Sequence, residues 1–268
     1  MPPDYPVLTK TAAESAIVVS DLAKSYGAVE AVSGVSFAVR SGTTTALLGG
    51  NGAGKTTTLS MLLGVLTPSA GRITVLGEDM PAHRHRVLPR MNFTSPYVDL
   101  PKRLTVAQNL SVFADLYGLR QARKRIAEVA EDCDLTGLLK RSYGSLSAGQ
   151  RTRVSLAKAV LNEPEVLLLD EPTASLDPDI GDRMRSYLER YQHHSGCTML
   201  LASHHMGEVE RLCDDVIMLR AGVVVDQGSP QQLLARYGRE NMEEVFLDVA
   251  RGRTEERVPG GAAVETAA

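Results

Sequence analysis

Thr44-Thr-Ala-Leu-Leu-Gly-Gly-Asn-Gly-Ala-Gly-Lys-Thr56 decides the fold of this chain. Its first five residues form an apolar, β-prone run, and the next eight, Gly49 to Thr56, fit the pattern G-x-x-x-x-G-K-[ST]. A strand, then this loop, then a helical run from Lys55 to about Leu66 is the setting in which the pattern holds phosphate. Glycines let backbone N–H groups converge on an anion without interference from Cβ atoms. The helix that follows directs its positive dipole end at the same place. Gly49, Gly50, Asn51, Gly52, Ala53 and Gly54, with Lys55, Thr56 and Thr57, are therefore a candidate cradle for ATP or a close relative of it. Lys55 is expected on the β- and γ-phosphates and the Thr56 hydroxyl on Mg²⁺. A merely flexible turn would not need the lysine, the hydroxyl and the flanking strand together.

A second apolar run, Val166-Leu-Leu-Leu-Asp170-Glu171, ends in two acids. A buried strand would deliver Asp170 to its C-terminal end, where a carboxylate can hold Mg²⁺ through water. Glu171, one residue further, is placed to polarise an attacking water as general base. Acids at strand ends are common helix caps, but after a phosphate loop they acquire a chemical partner. A kinase-like or GTPase-like site accounts for Asp170 and leaves Glu171 unexplained.

Outward from these two runs, further β-rich segments recur at Ile17–Val19, Val35–Val39, Ile73–Leu76, Thr198–Ala202, Val216–Leu219 and Val223–Val225. Several are continuously apolar, as strands buried on both faces must be, and helical patterns lie between many of them. The expected class is α/β, with the closely spaced early and late strands leaving room for antiparallel pieces. The stretch from about Ala82 to Leu161 differs. After one possible strand at Met91–Phe93 it reads as helices: one opened by the capping box at Thr105–Gln108 and running to about Tyr117, a second from Gln121 to Glu131, and a third from Ala148 to Leu161. It is read as an inserted helical subdomain.

Composition narrows the partners. The 268 residues are 43% hydrophobic and 23% charged, enough for a sizeable core in a soluble domain. A net charge of −3, 4% aromatics and no Trp give no reason to expect nucleic acid as a partner. Cys133, Cys197 and Cys213 form no C-x-x-C pair, which argues against a zinc site or a disulfide framework and suits a reducing compartment. His83 and His85 read as surface histidines of a basic loop. The first sixteen residues lack the apolar centre of a signal peptide, and no apolar run approaches the roughly 18 residues needed to cross a bilayer.

Leu146-Ser147-Ala148-Gly149-Gln150 opens a helix rich in basic residues just ahead of the acidic pair. A serine hydroxyl with backbone N–H groups at a helix N-terminus is a second anion site. An ordinary serine cap explains Ser147 and not the order of the segments. With both phosphate elements and the acidic pair in this order, the chain resembles the ATP-binding cassette (ABC) ATPases, whose signature is usually L-S-G-G-Q; Ala148 replaces its first glycine. The resemblance implies that Ser147, Gly149 and Gln150 bind nucleotide from across a dimer. It implies that Tyr26 stacks on adenine, that Ala174–Asp177 forms a loop crossing the interface, and that His204 contacts the γ-phosphate. His205 is its neighbour, and the spacing from the preceding strand favours His204. One departure stands out: the segment Asn92-Phe-Thr94-Ser95-Pro96-Tyr97 lacks the family's Gln, leaving the hydroxyl of Ser95 or Thr94 as the nearest substitute toward the metal.

The resemblance covers about Ile17 to Arg251 and implies an α/β P-loop NTPase (RecA-like) core sheet with an antiparallel β part and an inserted α-helical subdomain. The expected core is 17–86 and 162–237, the helical subdomain about 87–161, and a C-terminal extension 238–251. Residues 1–16 precede this domain, and 252–268 read as a disordered tail. It further implies ATP and Mg²⁺, a head-to-tail homodimer or heterodimer, and a separate membrane permease docked near Pro96–Leu104, with the chain on the cytoplasmic face of the membrane. Pro101–Leu110 and Asn241–Asp248 look like exporter-type subunits, for drugs, ions or other small compounds. A soluble relative such as an iron–sulfur assembly ATPase is the alternative. A metabolic kinase leaves Leu146–Gln150 unexplained.

Overall fold

The computed structural model describes residues 15–96 and 98–252. The expectations for residues 1–14, for Tyr97 and for the tail from 253 concern positions outside that range. In chain order the first elements are β1 (Ser15–Tyr26), β2 (Val29–Arg40), β3 (Thr44–Leu48), α1 (Lys55–Leu62), β4 (Ala70–Val75), β5 (Glu78–Asp79), α2 (Met80–Val87) and β6 (Met91–Thr94). Next come α3 (Val106–Leu116), α4 (Ala122–Asp132), α5 (Ala148–Val160), β7 (Val166–Asp170), α6 (Pro178–Ser195), β8 (Thr198–Ala202) and α7 (Met206–Leu212). The last are β9 (Asp215–Arg220), β10 (Val223–Gly228), α8 (Pro230–Tyr237) and α9 (Met242–Ala250).

The strands form two sheets. One is antiparallel, in the order β2-β1-β4-β5; the other runs β10-β9-β3-β8-β7-β6, parallel except for its edge strand β10. β3 sits between β8 and β9, with Ala46 opposite Leu201 on one side and Val216 on the other. β7 lies between β8 and β6. Parallel pairing brings the C-terminal ends of β3, β7 and β8 to one edge of the sheet, which is where ligands bind in open α/β folds.

Alternation along these fully buried strands feeds two separate cores. Ala46, Leu48, Leu167, Leu169, Met199 and Leu201 join a cluster with the helices α3 to α6, while Leu47, Leu168, Leu200 and Ala202 join one with the antiparallel sheet and α1. Each such leucine contributes about 2 kcal/mol of transfer free energy.

Several boundaries differ from expectation, for physical reasons. β1 and β2 are far longer than Ile17–Val19 and Val35–Val39, because register shifts and the left-handed Asp21 (φ 48°) break the period-two pattern between them. Helix α1 stops at Leu62 and not Leu66: Gly64 takes φ 65°, and the Gly64 and Leu63 N–H groups close the last turn on Met61 and Leu59. Thr105 and Gln108 form the expected capping box. β6, which the reading from about 87 placed in the helical stretch, pairs with β7 and belongs to the parallel sheet. The helical part proper is α3, α4 and α5.

Where α5 meets β6, a half-buried polar cluster around the buried Asn92 joins helix to sheet. Lys158 Nζ donates to Asn92 Oδ1 (3.0 Å) and to the Phe93 carbonyl (2.9 Å), and Asn92 Nδ2 donates to Tyr117 Oη (3.0 Å) and Asn162 Oδ1 (2.8 Å). Burial pulls the Lys158 ammonium down to about 8 from its ordinary 10.5. A lysine that is less basic folded than unfolded opposes folding while it is charged. That opposition is full below pH 8 and relaxes as pH rises toward the unfolded value. In urea unfolding, the wild type should therefore gain ~1–2 kcal/mol relative to Lys158→Met between pH 7.5 and pH 9.5. A pH-independent difference would remove the desolvated ammonium from this account.

Candidate nucleotide-binding site

The loop after β3 is shaped by close backbone approaches. A Cβ at Gly49 would stand 2.6 Å from the Leu219 carbonyl oxygen of β9, and one at Gly54 2.9 Å from that of Ala31 in β2. Gly54 also has φ 102°, a left-handed value that side chains resist. It caps α1 without any side-chain hydrogen bond, so the first N–H groups of the helix keep no side-chain partner and face an incoming anion. Ala53 N–H closes the loop on the Gly50 carbonyl (3.1 Å), and Gly222 N–H donates to the Ala53 carbonyl (3.2 Å). Gly50, Asn51, Gly52 and Thr56 are exposed, Thr57 is half-buried and Gly49 is buried.

Lys55 Nζ donates to the Gly49 carbonyl at 2.5 Å and to that of Gly50 at 3.3 Å, folding back over its own loop. Burial lowers the basicity of this ammonium, and the nearby carboxylates of Glu171 and Asp170 partly restore it. The phosphate loop and the acidic pair thus share one electrostatic site. Tyr26, at the end of β1, is 51% exposed, with Lys24 Nζ 5.4 Å from its ring centroid. The turn after it leads through Val29 to Ala31, the residue that meets Gly54.

β7 delivers Asp170 buried and Glu171 just beyond the strand. Burial raises the Asp170 carboxyl above the usual range, with Glu171 adding to the rise and Ser95 and Lys55 opposing it. Ser95 Oγ donates to Asp170 Oδ2 at 3.1 Å, so the short arm does reach the acid. Glu171 adopts φ 50°, a left-handed conformation that costs a non-glycine residue about 1 kcal/mol, and its N–H donates to the Ala202 carbonyl at 2.8 Å. That twist turns its side chain toward β8. There His204 Nδ1 lies 2.6 Å from Glu171 Oε1. An ionised carboxylate only accepts, so Nδ1 carries the hydrogen of this bond. His205 does something else: its Nδ1 accepts from Glu208 N–H and caps α7.

Ser147 and Gln150 cap α5 reciprocally, Gln150 N–H donating to Ser147 Oγ (3.3 Å) and Ser147 N–H to Gln150 Oε1 (3.1 Å). Ser147 and Ala148 are exposed, and among the described residues no hydrogen bond joins Ser147, Gly149 or Gln150 to the loop after β3. Gly149 is held close to the segment after β7: a Cβ there would come within 3.0 Å of the Ser175 carbonyl oxygen. A cleft of about 120 Å³ runs between Ser95, Asp170 and Glu171 on one side and Ala148, Arg151 and Ser175 on the other.

The oxygens of Thr56 and Asp170 are hard donors of the type Mg²⁺ prefers, and Asp170, whose charge is disfavoured by burial, is a carboxylate that a cation would suit. Sequence reasoning missed Thr173, Ser203 and Glu208: the hydroxyls of Thr173, two residues beyond Glu171, and Ser203, just before His204, both donate to Glu208. No spacing rule picks them out, because their meeting is tertiary.

Residues 32–174 match the family described as ABC transporter. The Nod factor export ATP-binding protein I of Ralstonia nicotianae is 40% identical over 236 residues, 86% of this chain and 72% of that protein. Among solved structures, an ATP binding subunit of an ABC transporter superposes with a TM-score of 0.81 at 26% identity, covering 88% of this chain and 99% of that one. The cbiO1 of Clostridium perfringens, part of the ABC transporter complex cbiONQ, superposes with a TM-score of 0.74 at 30% identity over 90% of this chain and 97% of its own.

Proposed function

This chain belongs to the ABC transporter family as an ATP-binding, ATP-hydrolysing subunit, and we propose on that premise that it energises a separate membrane permease for export. The observation that carries the reading is the convergence of Lys55, Asp170, Glu171 and His204 at one edge of the parallel sheet. The export direction is supported by the relative named for Nod factor export. Among the described residues no helix is long and apolar enough to cross a membrane, in keeping with a subunit that docks on a permease from its cytoplasmic face.

In this reading Lys55 leaves its own carbonyls for the β- and γ-phosphates, and the free N–H groups of α1 orient them. Thr56 and Asp170 hold Mg²⁺, with Ser95 fixing the Asp170 carboxylate. Mg²⁺ supplies charge neutralisation at the phosphate oxygens. Glu171 takes the proton of the attacking water, and His204 holds Glu171 in place and faces the γ-phosphate. Tyr26 stacks on the base. Exposed Ser147, with half-buried Gly149 and Gln150, completes the site of a second subunit, copy or homologue, which explains why the three lie apart from the loop in their own chain. Opening and closing of that dimer would drive the permease.

Two measurements test this. The purified chain should release phosphate from Mg-ATP. Affinity-tagged chain purified from membranes that also contain the permease should retain one integral membrane protein, and the chain should no longer sediment with membranes when that protein is absent from the host. ATP hydrolysis by a chain that never sediments with membranes would refute the transporter role and leave the ATPase role standing.

A further inference from the structure

Glu208, in α7, is 1% exposed, and each of its carboxylate oxygens receives a hydroxyl. Thr173 Oγ1 donates to Oε1 at 2.9 Å and Ser203 Oγ donates to Oε2 at 2.6 Å. Thr173 stands two residues beyond Glu171, and Ser203 immediately precedes His204. Ser203 Oγ in turn accepts the His205 N–H at 3.1 Å, and the Glu208 N–H is held by His205 Nδ1 at 3.2 Å. The single carboxylate therefore ties the segment leaving β7 to the segment leaving β8.

A buried carboxylate is unfavourable unless its oxygens are bonded, and an apolar side chain would fill the same space without that penalty. What an apolar side chain could not do is fix two hydroxyls at once. Among the described residues, the β7–β8 ladder ends at the Asp170–Ala202 pair, and past it the Glu171 N–H to Ala202 bond and the Glu171–His204 contact also join the two segments. We infer that Glu208 is a positioning residue that sets the distance and angle between Glu171 and His204. The inference rests on the hydrolytic reading above, in which that pair acts on water and the γ-phosphate. Displacing a reacting group by about 1 Å can lower a rate on the order of 100-fold, whereas Lys55 and the α1 N–H groups belong to the helix that follows another strand, β3, and bind regardless.

The test compares Glu208→Ala, Glu208→Gln and Thr173→Val with wild type in the full chain, reading kcat, ATP dissociation constant and melting temperature. The expected result is a kcat lowered about 10- to 100-fold in Glu208→Ala, with ATP affinity within about twofold of wild type and a longer-lived ATP-bound dimer. Glu208→Gln, which keeps the shape and one acceptor oxygen, should recover most of the rate. A purely structural role would lower rate, affinity and melting temperature together, and that result would overturn the inference, as would an unchanged kcat. Should Glu208→Ala fail to fold, the near-isosteric Thr173→Val decides: a lowered kcat with retained affinity supports the tie, and an unaltered kcat refutes it. If wild type releases no phosphate from Mg-ATP, the hydrolytic reading itself fails and the inference falls with it.

Discussion

Glu171→Gln is expected to lower ATP turnover by at least ~100-fold, the range over which a positioned general base contributes. The substitution keeps the shape of the side chain, and its amide oxygen can still accept from His204 Nδ1 as Glu171 Oε1 does at 2.6 Å. What it removes is the basic lone pair that takes the proton of water. Lys55, Thr56 and Asp170 are untouched, so nucleotide should bind normally. With binding intact and hydrolysis blocked, ATP should hold two subunits together long enough to elute as a dimer in gel filtration. Turnover at the wild-type level would strip Glu171 of the role of base.

Lys55→Ala should weaken ATP binding by about 10- to 100-fold, from the ~1.5–3 kcal/mol that a hydrogen bond to a charged group contributes. The loss is a difference between two states of the same ammonium. Without nucleotide it already donates to the Gly49 and Gly50 carbonyls, so binding exchanges neutral acceptors for phosphate oxygens that bear full charge. Titration calorimetry at fixed ionic strength measures it. An affinity equal to that of wild type would take Lys55 out of the site, and with it the shared field that links it to Asp170 and Glu171.

Much of this was legible before any coordinates, and the reasons for the rest are specific. The strands Thr44–Leu48 and Thr198–Ala202 are legible because burial on both faces leaves an unbroken apolar run, whereas half of β1 and β2 is hidden by bulges that scramble alternation. The acids at 170 and 171 follow from their place at a strand end. His204 and His205 are adjacent, and spacing yields only a preference; geometry separates them, one on Glu171 and the other capping α7. Ser147 to Gln150 reads from sequence as an anion site and also folds as a capping box, since both uses draw on the same N–H groups. Ser95 reaches Asp170 because β6 pairs with β7 and carries its end beside the acid, a distance no sequence pattern encodes. Glu208 looks in sequence like any glutamate of a short helix. Its burial is the signal, and burial there depends on how α7 returns over the sheet.

The parallel sheet stands as the shared wall of two hydrophobic clusters, one beneath the helices and one beneath the antiparallel strands. As a matter of cooperativity, neither cluster can open without stripping one face from strands that the other needs. Local opening is therefore confined to the rim, and the amides of β3, β7 and β8 should be the last to exchange with deuterated solvent. Two cores with one wall melt as one.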